Sequence, residues 1–262
     1  MQLKIYQVDA FTDKLFKGNS AAVIILEEWL DEKLMQDIAI ENNLSETAFA
    51  KKCEDLTYEI RWFSPITEID FCGHATLATA FILFQNFGLK ELTFKAEAVG
   101  NLKVKQVEND FIEMSFPNRK PQKVETIPDE LKKGLSSEPT EVFVNQQTYF
   151  VVYPKEEDIY NIEVNLEEIK KLKPLDVTIT ATSKEYDFIS RYFWPANGGV
   201  EDPVTGSMHA GAAPLWAEKL NKNELLAYQA SQRGGILKCI VKEDEVVILG
   251  KAVLYLEGTI NI

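Results

Sequence analysis

The sequence predicts an α+β protein made of two similar halves, each with many short strands around one apolar helix. Three observations predict it. Short segments with period-two alternation, or brief apolar runs, recur along the whole chain and read as half-buried and buried strands. Two stretches, residues 75–87 and about 207–220, are instead dense in Ala, Leu and other apolar residues with no broad polar face. That is the pattern of a helix buried on most sides. The segments leading into them also correspond. Arg61-Trp62-Phe63-Ser64-Pro65 runs toward Gly73-His74-Ala75, and Arg191-Tyr192-Phe193-Trp194-Pro195 runs toward Gly206-Ser207-Met208. Each is an aromatic strand, a Pro turn, an acidic segment, Gly and then helix, which points to a structural duplication.

Taken in order, residues 3–8 alternate like a strand and residues 21–26 form a short buried run. Residues 31–43 form a helix, with Asp31 as N-cap and Leu34, Ile38 and Ala39 on one face. Strands follow at 47–50, 57–63 and 68–71, then the first apolar helix, which Gly88 ends. Further strands are expected at 91–96, 102–107 and 111–116. Residues 117–128 carry three prolines and several charges and are the best linker candidate. Beyond it come strands at 140–145 and 149–153, a short helix near 166–172, and strands at 177–181 and 186–193. The second apolar helix follows, and residues 235–262 return to strands. The expected domains are 1–117 and 124–262, with the last strand crossing back to complete the first.

Composition excludes several functions. With 45% hydrophobic and 26% charged residues, the chain can build a folded core rather than a disordered tract. Its 28 Lys plus Arg against 41 Asp plus Glu give a net charge of −13. Such a field repels phosphate backbones and anionic lipid, so neither nucleic acid nor membrane is expected as a partner. An anionic ligand must then be held by local donors. The cysteines, Cys53, Cys72 and Cys239, are odd in number and lack regular spacing, which speaks against a disulfide framework and against zinc-finger spacing. No basic-then-apolar leader opens the chain, and no apolar run reaches membrane-span length, so a cytoplasmic location is expected. The only histidines are His74 and His209, too few for a His-rich metal centre, and no metal is expected. There is no dinucleotide fingerprint, P-loop or nucleophile elbow.

Several segments carry a family resemblance. Gln7-Val8-Asp9-Ala10-Phe11-Thr12 with Phe16-Lys17-Gly18-Asn19, then Asn43-Leu44-Ser45-Glu46-Thr47-Ala48-Phe49, Arg61-Trp62-Phe63 and Cys72-Gly73-His74-Ala75-Thr76-Leu77-Ala78 occur in that order. Glu201-Asp202-Pro203-Val204-Thr205-Gly206-Ser207 and Gln229-Ala230-Ser231-Gln232-Arg233-Gly234-Gly235 follow. Over nearly its whole length the chain resembles the PhzF-like, phenazine biosynthesis-like isomerases. The resemblance implies the diaminopimelate epimerase-like fold: two pseudo-symmetric domains, each a mostly antiparallel β-barrel around a central helix, with the site between them. It also implies a cofactor-independent isomerase, a homodimer, and a small-molecule carboxylate substrate.

Read alone, Glu46 is an ordinary solvated glutamate at a strand entrance. Its neighbours Leu44, Ala48 and Phe49 are apolar, though, and such surroundings tune a carboxyl for proton transfer. The resemblance assigns it the catalytic acid/base role. Alone, Cys72 reads as a small core residue and His74 as a satisfied buried histidine. Gly73 permits close backbone approach, and the helix start beside it offers free N–H groups. Asp202 could shape a turn and Ser207 could cap a helix. The resemblance makes Gly73, His74, Asp202, Gly206 and Ser207 substrate-binding.

Diaminopimelate-type epimerisation uses one cysteine from each half. Cys72 has no counterpart in residues 205–213, so a thiol pair is not expected. An amino-acid epimerase or racemase, or a non-catalytic carboxylate-binding protein, remain the alternatives. Ser20, Met208 and Ala210 depart from the family pattern, and Met208 puts bulk beside the expected pocket.

Overall fold

The computed structural model describes every residue, Met1–Ile262. The chain forms two compact units, Met1–Ser115 with Leu249–Ile262, and Phe116–Ile248.

In the first unit β1 (Gln2–Ala10) pairs antiparallel with β2 (Asn19–Leu26). Helix α1 (Glu32–Asn42) makes a crossover, so β3 (Glu46–Glu54) joins β2 in parallel. Strand β4 (Thr57–Phe63) returns antiparallel to β3, and the two-residue β5 (Glu68–Ile69) folds back on its end. Helix α2 (Gly73–Phe87) is the second crossover, after which β6 (Glu91–Ala96) pairs in parallel with β4. Strands β7 (Gly100–Gln106) and β8 (Ile112–Pro117) follow antiparallel.

The second unit repeats this order. Strand β9 (Gln122–Lys123) precedes the helix α3 (Asp129–Gly134), and β9 pairs antiparallel with β10 (Glu141–Val144). Strand β11 (Thr148–Val152) is antiparallel to β10. The helices α4 (Glu156–Asn161) and α5 (Leu166–Ile169) make the crossover to β12 (Asp176–Thr182), parallel to β11. Strand β13 (Phe188–Phe193) is antiparallel, with the short β14 (Glu201–Asp202) folded on its end. Helix α6 (Gly206–Leu220) leads to β15 (Glu224–Gln229), parallel to β13. Strands β16 (Gly235–Val241) and β17 (Glu245–Gly250) follow. The last strand, β18 (Ala252–Asn261), lies antiparallel along the other edge of β1.

The local sequence explains these elements. Strand β2 is an unbroken apolar run because both of its faces are covered. Ala22, Ile24 and Leu26 join Met35, Ile38 and Ala39 of α1 and Phe49 and Phe63 in one cluster, while α2 packs on the same strand. Each fully buried Ile or Phe of this kind contributes about 1.5–3 kcal/mol. Asp31 caps α1 by accepting from Lys33 N–H at 3.0 Å. Helix α2 ends at Gly88 in the left-handed region, where a residue without Cβ is unstrained. From Gly73 to Phe84 nearly every α2 side chain is buried, so the helix needs no polar face.

An arginine fixes the approach to each long helix. Arg61 on β4 holds Glu68 of β5 in a two-pronged fork, Nε and Nη2 each 2.6 Å from a carboxylate oxygen. Arg191 on β13 holds Glu201 of β14 the same way, at 2.8 and 2.9 Å. Planar forks of this type are strong and directional.

The first unit's strand pairings run from β18 through β1 to β8. The structure corrects three expectations. Residues 117–128 are not a free linker, because β9 pairs Lys123 with Phe143 and Gln122 with Val144. In α1 the fully buried face is Met35, Ile38 and Ala39, with Leu34 only partly covered. Strand β15 and helices α3 and α4 carried no sufficient periodic signal, being short and supported by tertiary contact.

Helix interiors usually gain about 1 kcal/mol from Gly→Ala. At Gly211 the added Cβ would fall 2.6 Å from both Phe150 Cζ and Asn145 Nδ2. Overpacking of a buried ring costs about 1–3 kcal/mol. Gly211→Ala should therefore lower the urea midpoint at unchanged slope, and a raised midpoint would contradict the close packing of α6 on β11.

Candidate active site

In the first unit, the turn before β2 sets the geometry. Gly18 has φ of 65°, and a Cβ there would stand 2.1 Å from the Ala10 carbonyl oxygen, so only glycine fits. The next residue, Asn19, opens β2 and is fully buried. Because β3 runs parallel to β2, both strands start at the same end, with Ala21 opposite Glu46. Glu46 is the first residue of β3 and is 9% exposed. Helix α2 starts against this end, with Cys72 at its N-cap and His74 in its first turn.

Three side chains meet there. His74 Nε2 lies 2.9 Å from Glu46 Oε2, an ion-pair distance, with both side chains about nine-tenths buried. The approach lacks hydrogen-bond geometry and leaves Oε2 buried without a hydrogen-bond partner. Cys72 Sγ is 3.4 Å from His74 Nδ1 and 3.9 Å from Nε2. Asn19 Nδ2 is 3.1 Å from His74 Nδ1, and Asn19 Oδ1 accepts from Ser45 Oγ at 3.3 Å. Asn19 thus ties down one ring nitrogen and leaves the other facing Glu46.

Burial pushes the Cys72 thiol up to about 11, and the Glu46 carboxylate adds to that. Near neutral pH it is therefore a protonated thiol. For His74, burial opposes a charge, yet facing Cys72 and Glu46 the ring is raised well above its usual range. Cys72 is the larger of these two influences on the ring, and the Glu46 carboxylate is the second. His74, Cys72 and Glu46 thus form one coupled buried cluster.

In the second unit, Asp202 ends β14 and its carboxylate accepts from the Thr205 hydroxyl. Gln229 spans the same turn, donating to Asp202 O at 2.8 Å and accepting from Thr205 N at 2.8 Å. Gly206 and Ser207 open α6. Gln147 Nε2 donates to Ser207 Oγ at 3.0 Å and to the Tyr192 hydroxyl at 3.1 Å, and Tyr192 donates to Asp176. With its oxygen accepting from Gln147, Ser207 keeps its own O–H to donate. His209, one turn on, donates Nδ1–H to Thr205 O at 2.8 Å.

The predicted residues therefore lie at the start of a long helix, at the start of β3 or, for Asp202, at the end of β14. Glu46, Gly73 and His74 are brought together in the first unit, and Asp202, Gly206 and Ser207 in the second. Glu46 is not set among Leu44, Ala48 and Phe49 alone; its polar neighbours are His74 and Cys72. Met208 and Ala210 are buried within α6, and Ser20 accepts from Gln7 Nε2 at 3.0 Å. Sequence reasoning missed Asn19 and Gln147 as contacts of the predicted site residues. The Gly18-Asn19 pair was visible as a turn signal, but its contact with His74 spans 55 positions of sequence.

Comparison with known proteins agrees in extent. The PhzC-PhzF sequence profile, described as phenazine biosynthesis-like protein, matches residues 8–258. An uncharacterized isomerase of Pseudomonas aeruginosa is 44% identical, with all of both chains covered. An uncharacterized isomerase of Halalkalibacterium halodurans is 43% identical over 98% of each chain. The crystal structure of a phenazine biosynthesis protein PhzF family member from Enterococcus faecalis superposes with TM-score 0.95, at 43% identity and full coverage of both chains.

The two histidines give a direct test of these environments. Burial, only partly offset by the Thr205 carbonyl, pushes His209 down from 6.5 to about 4. The unfolded chain then binds this proton more readily than the folded one. The resulting stability is present above about pH 6.5 and is lost as pH falls toward about 4, at about 1.4 kcal/mol per unit. With only two histidines in the chain, proton NMR should show one imidazole staying neutral down to about pH 4. Titration of both rings near their ordinary value would contradict the burial of His209.

Proposed function

This chain belongs to the phenazine biosynthesis-like PhzC-PhzF family and is an isomerase of it, and on that premise we propose that Glu46 moves a proton between carbons of a small unsaturated or cyclic carboxylate. The observation that carries the reading is the buried Oε2 of Glu46, which has no hydrogen-bond partner and lies 2.9 Å from His74. A general base needs a lone pair that is not already committed, and this oxygen has one.

In the proposed reaction the Glu46 carboxylate takes a proton from one carbon of the substrate. The electron pair moves into the adjacent unsaturated system, and the carboxyl returns the proton at another carbon. His74 holds the pair's charge while the proton is away. Gly73 and the first turn of α2 offer backbone N–H groups and the positive end of a helix to the substrate carboxylate. Asp202, Gly206 and Ser207 are proposed as further substrate-binding residues, Ser207 as a donor because Gln147 already occupies its oxygen. The transfer needs no electron carrier, so the proposed mechanism is cofactor-free.

A thiol-based epimerisation is the second reading, favoured only by Cys72 standing 3.4 Å from His74. A thiol pushed up to about 11 is a poor base near neutrality, and Cys239 is wholly buried in β16. The carboxylate reading is the stronger.

The test is solvent deuterium incorporation into a panel of small cyclic and unsaturated carboxylates. Glu46→Gln should fold, bind ligand and lose about two to four orders of magnitude in exchange. Near-normal exchange in that variant would remove Glu46 from the mechanism. Cys72→Ala should lose some stability through a small cavity but keep most of the exchange. A loss as deep as that of Glu46→Gln would instead revive the thiol.

A further inference from the structure

Glu46, Cys72 and His74 offer three unlike donors to one buried point. A carboxylate oxygen, a thiol sulfur and an imidazole nitrogen lie within 4.8 Å of one another, and all three residues are buried. The Glu46 oxygen that faces this point has no hydrogen-bond partner, on a residue only 9% exposed. We propose that these side chains form a binding site for a borderline-soft divalent cation of the zinc type.

The donor set selects that class. Zinc takes thiolate, imidazole and carboxylate together, commonly as three protein ligands with a fourth position open, whereas magnesium and calcium require oxygen donors. Zinc bond lengths and tetrahedral angles place ligand atoms roughly 3.4–3.6 Å apart. Here Nε2 is 2.9 Å from Oε2 and 3.9 Å from Sγ, which bracket that spacing, and all three ligand atoms lie within 4.8 Å of one another, so side-chain adjustment would complete the site. Charge also balances. One thiolate and one carboxylate neutralise a dication, which a buried site tolerates better than a net charge. Binding releases the thiol proton to solvent, and the start of α2 favours the thiolate left behind. A partner behind the imidazole is already in place. Asn19 sits 3.1 Å from Nδ1 and, with its amide turned, can accept the Nδ1–H that leaves Nε2 free for the metal.

A bound cation occupies the oxygen that carries the proton, so the metal-bound form is inactive; that consequence rests on the reading of Glu46 given above. Metal and proton then compete for one site.

The test uses cobalt(II) as a spectroscopic probe in the full chain with Cys53→Ala, which removes the one exposed thiol. Cobalt should give a thiolate charge-transfer band at one equivalent, zinc should displace it, and magnesium should not. Changes behind a metal ligand already cost about 10–100-fold in affinity, so Cys72→Ser and Glu46→Gln should each weaken binding at least about tenfold. Both variants are checked for folding by circular dichroism. Absence of the band in folded protein, or a band and affinity unaltered by both substitutions, overturns the site. Deuterium exchange by chelator-treated protein separates the two ideas. Exchange without a cobalt band sinks the metal site and leaves Glu46 standing, and a cobalt band with no exchange does the reverse.

Discussion

The two-pronged arginine–glutamate fork recurs once in each unit and sets where each long helix begins. Arg61 holds Glu68, and Arg191 holds Glu201, at the register where β5 and β14 fold back on β4 and β13. A two-residue strand makes too few ladder bonds to stay in place by itself. The fork adds two charge-assisted bonds, each of roughly 1.5–3 kcal/mol in a partly buried setting. Through the chain this fixes the Gly73 and Gly206 helix starts, and through them His74, Cys72, Asp202 and Ser207. Arg61 and Arg191 are thus committed to structure rather than to ligand. Arg61 is held further toward its charged form by Glu68 and Glu32.

The two units share one topology, down to the parallel joins β2–β3 and β11–β12 and the joins β4–β6 and β13–β15. Their helix starts carry different chemistry. In the first, His74 faces Cys72 and Glu46 and is raised; in the second, His209 is lowered by burial, which the Thr205 carbonyl only partly offsets. One residue type near the start of each long helix is moved in opposite directions, and the difference is the thiol and the carboxylate that face His74.

The carboxylate is that of Glu46, and its environment is unusual for a structural ion pair. A carboxylate kept for stability normally has its lone pairs filled by donors, because an unfilled one is costly when buried. Here Oε2 has none in hydrogen-bond geometry. The neighbouring thiol is protonated, and Asn19 is engaged with the far side of the imidazole. A proton moving to and from carbon, and a cation bound in its place, are two occupants of the same lone pair.

Much of this was legible in the sequence. The period-two runs, the two helices without a polar face, and the paired Arg-aromatic segments determined the α+β class, the duplication and most elements, because these depend on local periodicity and on which side chains must leave water. Motif resemblance alone singled out Glu46, Gly73, His74, Asp202, Gly206 and Ser207. Only the tertiary structure decided that Asn19 stands against His74 and that Gln147 engages Ser207. Those facts rest on contacts between residues far apart in the chain: Asn19 reaches His74 across 55 positions and Gln147 reaches Ser207 across 60. Periodicity carries no information at that range. The parallel join of β2 to β3 and the burial of α2 create these neighbourhoods, and they exist only once the sheet and helix have packed.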